Sequence, residues 1–242
     1  MKKLGKMVCH IPARAGSKRV KSKNLRQLDG KPMIAYAIET AKACGRFDEI
    51  YVNTDSEEIM ALAREWGVQV YKREGWLASD AAKGDDFTAD FMEHIRTDTL
   101  VMISPVCPLV TVDDVNHALE AYADSECDTL ITCEQTQMQV FCNGHGINLD
   151  ETAPLAPSQE NPFVQTLNWA VAIWDTAVFL EAYRTRRAGY LGQRRILWPI
   201  EPSHAVKVSH EADFRMAERM LMAARLDDSR TSAPQYWTPS VI

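Results

Sequence analysis

Short apolar runs alternate along the chain with stretches whose apolar residues recur at every third or fourth position. Met7 to Ile11 is the first run. Lys31 to Cys44 carries Ile34, Ala37, Ile38 and Ala41 at helical spacing before Gly45 ends it, which predicts a strand followed by a helix. Glu49 to Asn53 predicts a second strand, and Asp55-Ser-Glu-Glu58 has the spacing of a capping box opening a helix that runs to about Trp66. Val68 to Tyr71 reads as a strand, Asp86 to Ile95 as a helix and Thr99 to Ser104 as a strongly apolar strand. Thr111-Val-Asp-Asp114 then caps another helix, and Asp128 to Cys133 makes a fifth strand.

Strands separated by helices of this length need crossover connections. The expected fold class is therefore α/β: three layers, with a mostly parallel, twisted sheet and helices on both faces. In such sheets ligands bind beyond the carboxyl ends of the strands, where the loops after Ile11, Asn53 and Ser104 lie.

Regularity fails over residues 135–165, where Asn143-Gly-His-Gly146 signals a turn and Pro154, Pro157 and Pro162 exclude a helix. An irregular insertion of this length is usually functional or interfacial. Trp169 to Trp174 returns as a strand, Thr176 to Tyr183 as a helix, and Arg195 to Ile200 with Ala205 to Val208 as strands. Ser209 is expected to cap a last helix to about Arg225, with Glu211 and Asp213 in its positive first turn. Residues 227–242 read as an irregular tail, and residues 1–242 as one domain.

At 242 residues and 46% hydrophobic composition the chain can bury a core without disulfides or metals. The six cysteines form no C-x-x-C pair and have no histidine at zinc spacing, so reduced, buried thiols are expected. A formal net charge of -6 argues against a nucleic-acid surface. The sequence has no apolar run long enough for a membrane span and no signal peptide, so the expected location is the cytoplasm.

The chemistry concentrates between the first strand and the first helix. Ala15 and Gly16 make a small-residue turn, Ser17 adds a hydroxyl, and Arg14, Lys18, Arg19, Lys21 and Lys23 add five cations ahead of Asn24. Small residues leave backbone N–H groups free to face an anion, and mobile cations neutralise it, which is what a triphosphate requires. The Gly-Lys-Ser/Thr of a Walker A loop is absent, so this is not a P-loop NTPase.

Ile11-Pro-Ala-Arg-Ala-Gly-Ser-Lys18 with Lys23-Asn24 resembles the opening of the acylneuraminate cytidylyltransferase family, with Ala15 in place of a glycine. Gly30-Lys-Pro-Met-Ile34, Val52-Asn-Thr-Asp-Ser56, Arg73 with Leu77-Ala-Ser-Asp80, and Asp213-Phe-Arg-Met-Ala-Glu218 also match. The resemblance implies a nucleotidyltransferase fold with a dimerisation insertion, and a CTP-dependent transfer of CMP to a sialic-acid-like (nonulosonic) acid with release of pyrophosphate. It implies CTP binding by Arg14, Ala15, Gly16, Ser17, Lys23, Asn24 and Arg73, with Arg14 and Lys23 in catalysis. It also implies Mg²⁺ as cofactor, acceptor contacts from Ser104 and Asn168, and a homodimer.

Two segments depart from the family pattern. Ser104-Pro-Val-Cys-Pro-Leu-Val110 replaces a more polar family segment, and Lys207-Val-Ser209 stands where the family has an Asp-Ile-Asp that binds magnesium. Charged lysine cannot ligate Mg²⁺, so no metal-ligand set is assigned. Lys207 either supplies positive charge to the site as a catalytic residue or faces solvent from a surface strand. Two other readings stay open: a cytidylyltransferase for another acid, of octulosonate or phosphonate type, and an impaired nucleotide-binding homologue.

Overall fold

The computed structural model describes residues 2–16 and 19–227. Strand β1 (Met7–Pro12) leads through the small hairpin β2 (Gln27–Leu28) and β3 (Lys31–Pro32) into α1 (Met33–Cys44). Strand β4 (Glu49–Thr54), α2 (Glu57–Glu65), β5 (Gln69–Lys72), α3 (Gly84–His94), β6 (Thr99–Ile103), α4 (Val112–Ala123) and β7 (Thr129–Thr136) follow. A second hairpin, β8 (Phe141–Cys142) with β9 (His145–Gly146), precedes β10 (Val164–Asp175), α5 (Thr176–Arg186), β11 (Arg195–Pro199) and α6 (Glu211–Asp227).

The main sheet has the order β11-β7-β10-β6-β1-β4-β5. Its neighbours pair in parallel except at β10, which runs antiparallel to both β6 and β7. One face packs Ile34, Ile38, Ile59, Val115 and Leu119 of α1, α2 and α4; the other packs Phe91, Met92, Phe179 and Tyr183 of α3 and α5. These are the three layers expected, and they explain why all five residues of β6 are buried: a strand covered on both faces has no polar side to show.

Three local expectations are corrected. Residues 135–165 are not irregular at their ends, because β7 and β10 pair there, Val164 opposite Thr136 and Gln165 opposite Gln135. The register then breaks between Leu167 and Ala172, where Trp169 takes the left-handed conformation (φ 59°). Ala205 to Val208 is not a strand. Ala205 is buried in the main core and Val208 against Phe214 and Ala217 of α6, with Val206 partly buried. Among the described residues the segment's one backbone–backbone hydrogen bond to a distant part of the chain is from the Val208 N–H to the Val106 carbonyl at 2.8 Å. The start of α6 is capped by Asp213 rather than Ser209: its carboxylate accepts the Ser209 and His210 N–H groups at 2.8 and 2.7 Å. The tail predicted over 227–242 lies, beyond Asp227, outside the described residues. Among the described residues no helix is long and apolar enough to cross a membrane.

Candidate active site

The basic loop leaves the sheet at the carboxyl end of β1 and is tied down at its base. Ala13 N–H donates to the Asn53 carbonyl at 2.9 Å, and Ala15 N–H to the Asp55 carboxylate at 2.8 Å. Asp55 is available for this because the neighbouring Ser56 hydroxyl, not Asp55, caps α2 by accepting the Ile59 N–H at 3.3 Å. On the return, Asn24 donates to the Arg14 carbonyl at 3.4 Å and accepts the Ile34 N–H at 3.0 Å, so the loop closes against the first turn of α1.

The loop borders a cleft of about 450 Å³ whose lining includes Arg14, Gly16, Arg19, Lys23, Asn24 and Ser209. Ala15 lines a small adjoining hollow; Ser17 lies outside the described residues. A Cβ placed on Gly16 would meet no atom within 4 Å. Packing therefore does not demand glycine there, and its backbone faces open space. Arg14 reaches the Ala78 carbonyl at 3.2 Å and Asp80 at 2.9 Å, while Lys23 Nζ donates to the Val208 carbonyl at 2.7 Å. Burial lowers the pKa of Lys23, and repulsion from Arg19 and Lys207 lowers it further. Cations held this close together favour an anionic ligand. The Asn24 Oδ1, buried and without a partner, adds an acceptor.

Arg73 sits beneath the loop rather than in the cleft. It is 4% exposed, its guanidinium donates to the Asn53 side-chain oxygen at 2.8 Å and the Asn53 carbonyl at 3.0 Å, and it lies over the Phe87 ring. Burial brings its pKa down to about 10, with Asp55 opposing the shift. Asn53 and Asp55, which anchor the loop, lie in the family-matching segment Val52 to Ser56 but were given no role from the sequence; their position at the end of β4 beside β1 was the available signal.

Ser104 is likewise in the wall. Its N–H donates to the Ala170 carbonyl at 2.9 Å, its carbonyl accepts the Cys107 N–H at 3.1 Å, and burial pushes the adjacent Cys107 thiol up to about 11. Asn168 and Lys207 come together at a second cavity of about 400 Å³, with Glu134 and Asp213. Glu134 was not singled out from the sequence. Arg184, Arg187 and Arg195 line neither cavity; the first two pair with Glu93 and Asp86.

The residues present build no all-protein cage for Mg²⁺. Among the described residues no three histidine, cysteine or acidic side chains converge. Asp213 is engaged by two backbone N–H groups, Asp85 accepts from Gly189 and Tyr190, and Asp86 caps α3 through Lys83 N–H.

A mostly parallel sheet with a cation-rich loop directly after its first strand is the arrangement expected of a nucleotidyltransferase. The chain belongs to the cytidylyltransferase family, whose model matches residues 8–151 and so includes the loop. It is 29% identical over 235 residues to post-translational flagellin modification protein B of Campylobacter coli, covering 92% of this chain and 98% of that protein. It is 27% identical to the CMP-N,N'-diacetyllegionaminic acid synthase of Campylobacter jejuni subsp. jejuni, with the same coverage. An N-acylneuraminate cytidylyltransferase of Streptococcus agalactiae is 33% identical over 135 residues, 54% of this chain and 33% of that one. Among solved structures, CMP:2-keto-3-deoxy-manno-octonic acid synthetase complexed with CTP superposes with a TM-score of 0.66 over 91% of this chain and 99% of that one. At 19% identity that likeness shows the fold.

Proposed function

We propose that this chain transfers CMP from CTP to a nonulosonic acid, in the cytoplasm. The observation that carries the reading is a pair of cavities linked by the segment before α6: a cleft lined by Arg14, Lys23, Asn24 and Ser209, and a smaller one lined by Lys207, Asn168 and Glu134. The first suits a triphosphate and the second a polyhydroxylated acid. The relatives that match over nearly the whole chain include a synthase of a CMP-linked nonulosonic acid.

In the reaction, an acceptor hydroxyl oxygen forms a bond to the α-phosphorus as the bond to the bridging oxygen breaks. Pyrophosphate leaves with the electron pair, and the hydroxyl proton passes to solvent. The chain's part is positioning and neutralisation. Arg14 and Lys23 exchange their present partners, Asp80 and the Val208 carbonyl, for phosphate oxygens, and the loop N–H groups hold the chain of phosphates in line. Mg²⁺ enters as part of the nucleotide substrate, coordinated by phosphate oxygens and water, an ordinary arrangement for this ion.

Pyrophosphate release from CTP, measured across nonulosonic acids, octulosonates and phosphonates, is expected to be fastest with a nonulosonic acid. It should need Mg²⁺, although the nucleotide-free protein binds the metal weakly. Release fastest with another acid would reassign the acceptor, and release with none would support an impaired nucleotide-binding homologue.

The segment between β7 and β10 exposes Met138, Phe141, Ile147, Leu155 and Phe163, each more than half accessible. Apolar surface grouped in one segment favours association, and we assign it to a homodimer contact. Light scattering at micromolar concentration should give twice the chain mass; a monomer would reject the contact.

A further inference from the structure

The second cavity shares the chain segment 202–213 with the nucleotide cleft: Pro202, Lys207 and Asp213 line one, and Ser209 lines the other. Lys207 makes no hydrogen bond or ion pair with any described residue, unlike Arg14 and Lys23. It is nevertheless near enough to Lys23 and to the Cys107 thiol to perturb both electrostatically.

Asn168, 5% exposed, lines the same cavity. Its Oδ1 accepts the Thr132 hydroxyl at 2.7 Å and the Ala170 N–H at 3.0 Å. A backbone N–H can only donate, so the amide cannot be flipped, and its Nδ2 is a donor. That Nδ2 is buried and has no partner. An unmatched buried donor is unfavourable, and a ligand oxygen would relieve it. The cavity thus offers a donor pair, Lys207 and Asn168, on a wall that also carries Glu134, a group that accepts from hydroxyls.

We propose that Lys207 and Asn168 form the carboxylate subsite for the acceptor, and that Lys207 selects acids over neutral sugars; this rests on the transfer reading above. The chemistry of the substrate class fixes the geometry. In the ring form of a 2-keto sugar acid the carboxylate and the anomeric hydroxyl share one carbon. A carboxylate held on Lys207, beside Lys23, therefore brings that hydroxyl to the edge of the triphosphate cleft. Lys207 is thus a specificity residue that contacts substrate, and its positive charge is matched by the acceptor's carboxylate, not by a metal ligand.

The test compares the best-bound acid of the panel with its methyl ester, by calorimetry in the presence of CDP. The parent, Lys207→Met and Asn168→Asp are measured, and CTP affinity is determined separately. Asn168→Asp keeps the oxygen that Thr132 and Ala170 need and replaces only the donor; if it fails to fold, Lys207→Met decides alone. Lys207→Met is expected to weaken the acid roughly tenfold to a hundredfold while leaving the ester within about twofold. CTP affinity should fall by much less than acid affinity, since Lys207 acts on the nucleotide cleft only through its charge near Lys23. Equal affinity of the parent for acid and ester, an unchanged acid affinity in Lys207→Met, or failure of every acid to bind would each overturn the subsite. A parent that binds acids selectively but not CTP would instead overturn the transfer reading.

Discussion

Lys23→Ala is expected to weaken CTP binding by about 1.5 to 3 kcal/mol, the usual worth of a charge-assisted hydrogen bond, or roughly tenfold to more than a hundredfold. The side chain is already in place, with Nζ 2.7 Å from the Val208 carbonyl at the wall of the cleft, so little ordering is needed to use it. The pH dependence gives the prediction a second edge. Burial first, and then Arg19 and Lys207, lower the Lys23 pKa in the free protein; a bound triphosphate raises it again. Affinity should therefore be full below the free-protein pKa and fall as pH rises through it. The alanine variant should lack that alkaline limb. Calorimetry over a range of pH measures both, and equal affinity of variant and parent would remove Lys23 from the site.

Asp213→Ala is expected to lower stability by about 1 to 2 kcal/mol, the typical cost of deleting a helix cap, and to raise the KM for CTP. Its carboxylate holds the Ser209 and His210 N–H groups, fixing the segment that carries Lys207 and the Val208 carbonyl used by Lys23. The Ser209 N–H is the largest influence lowering the Asp213 pKa, and His210 adds to it against the effect of burial. A carboxyl whose folded pKa is lowered contributes stability above its unfolded pKa, and that contribution is lost as pH falls through the folded value. Thermal denaturation should show the parent and the variant converging in acid. Asp213→Asn, which can still cap, should keep most of the stability. An unchanged midpoint in the alanine variant at neutral pH would contradict the assignment.

The alternating strands and helices of the first half were legible because each is covered by local periodicity: β1, β4 and β6 are apolar runs, and α1 and α4 carry helical stripes. The Thr111 cap was legible for the same reason, with Asp114 accepting the Thr111 N–H at 2.8 Å and donating its own to the Thr111 hydroxyl at 3.1 Å. The start of β10 was not, since Gln165 and Thr166 are exposed and carry no alternating signal, and the break at Trp169 depends on pairing with β7. Ala205 to Val208 misled because packing of Ala205 in the main core and of Val206 and Val208 near α6 produces an apolar pattern without a ladder. Of the candidate site, the loop was legible from its cations and small residues, its place directly after the first apolar run and the family resemblance. The second cavity was not: it arises where the end of β7, the irregular part of β10 and the segment before α6 meet, a juxtaposition of Glu134, Asn168 and Lys207 that only the topology supplies.

Nucleotidyl transfer at the loop after β1 is followed with CTP labelled at the α-phosphate. Incubated with Mg²⁺ and a nonulosonic acid, the parent should place the label in a CMP-linked sugar while releasing unlabelled pyrophosphate, and Lys23→Ala should do so far more slowly at the same CTP concentration. Label appearing in free CMP alone, or product formed equally fast by the variant, would contradict the account.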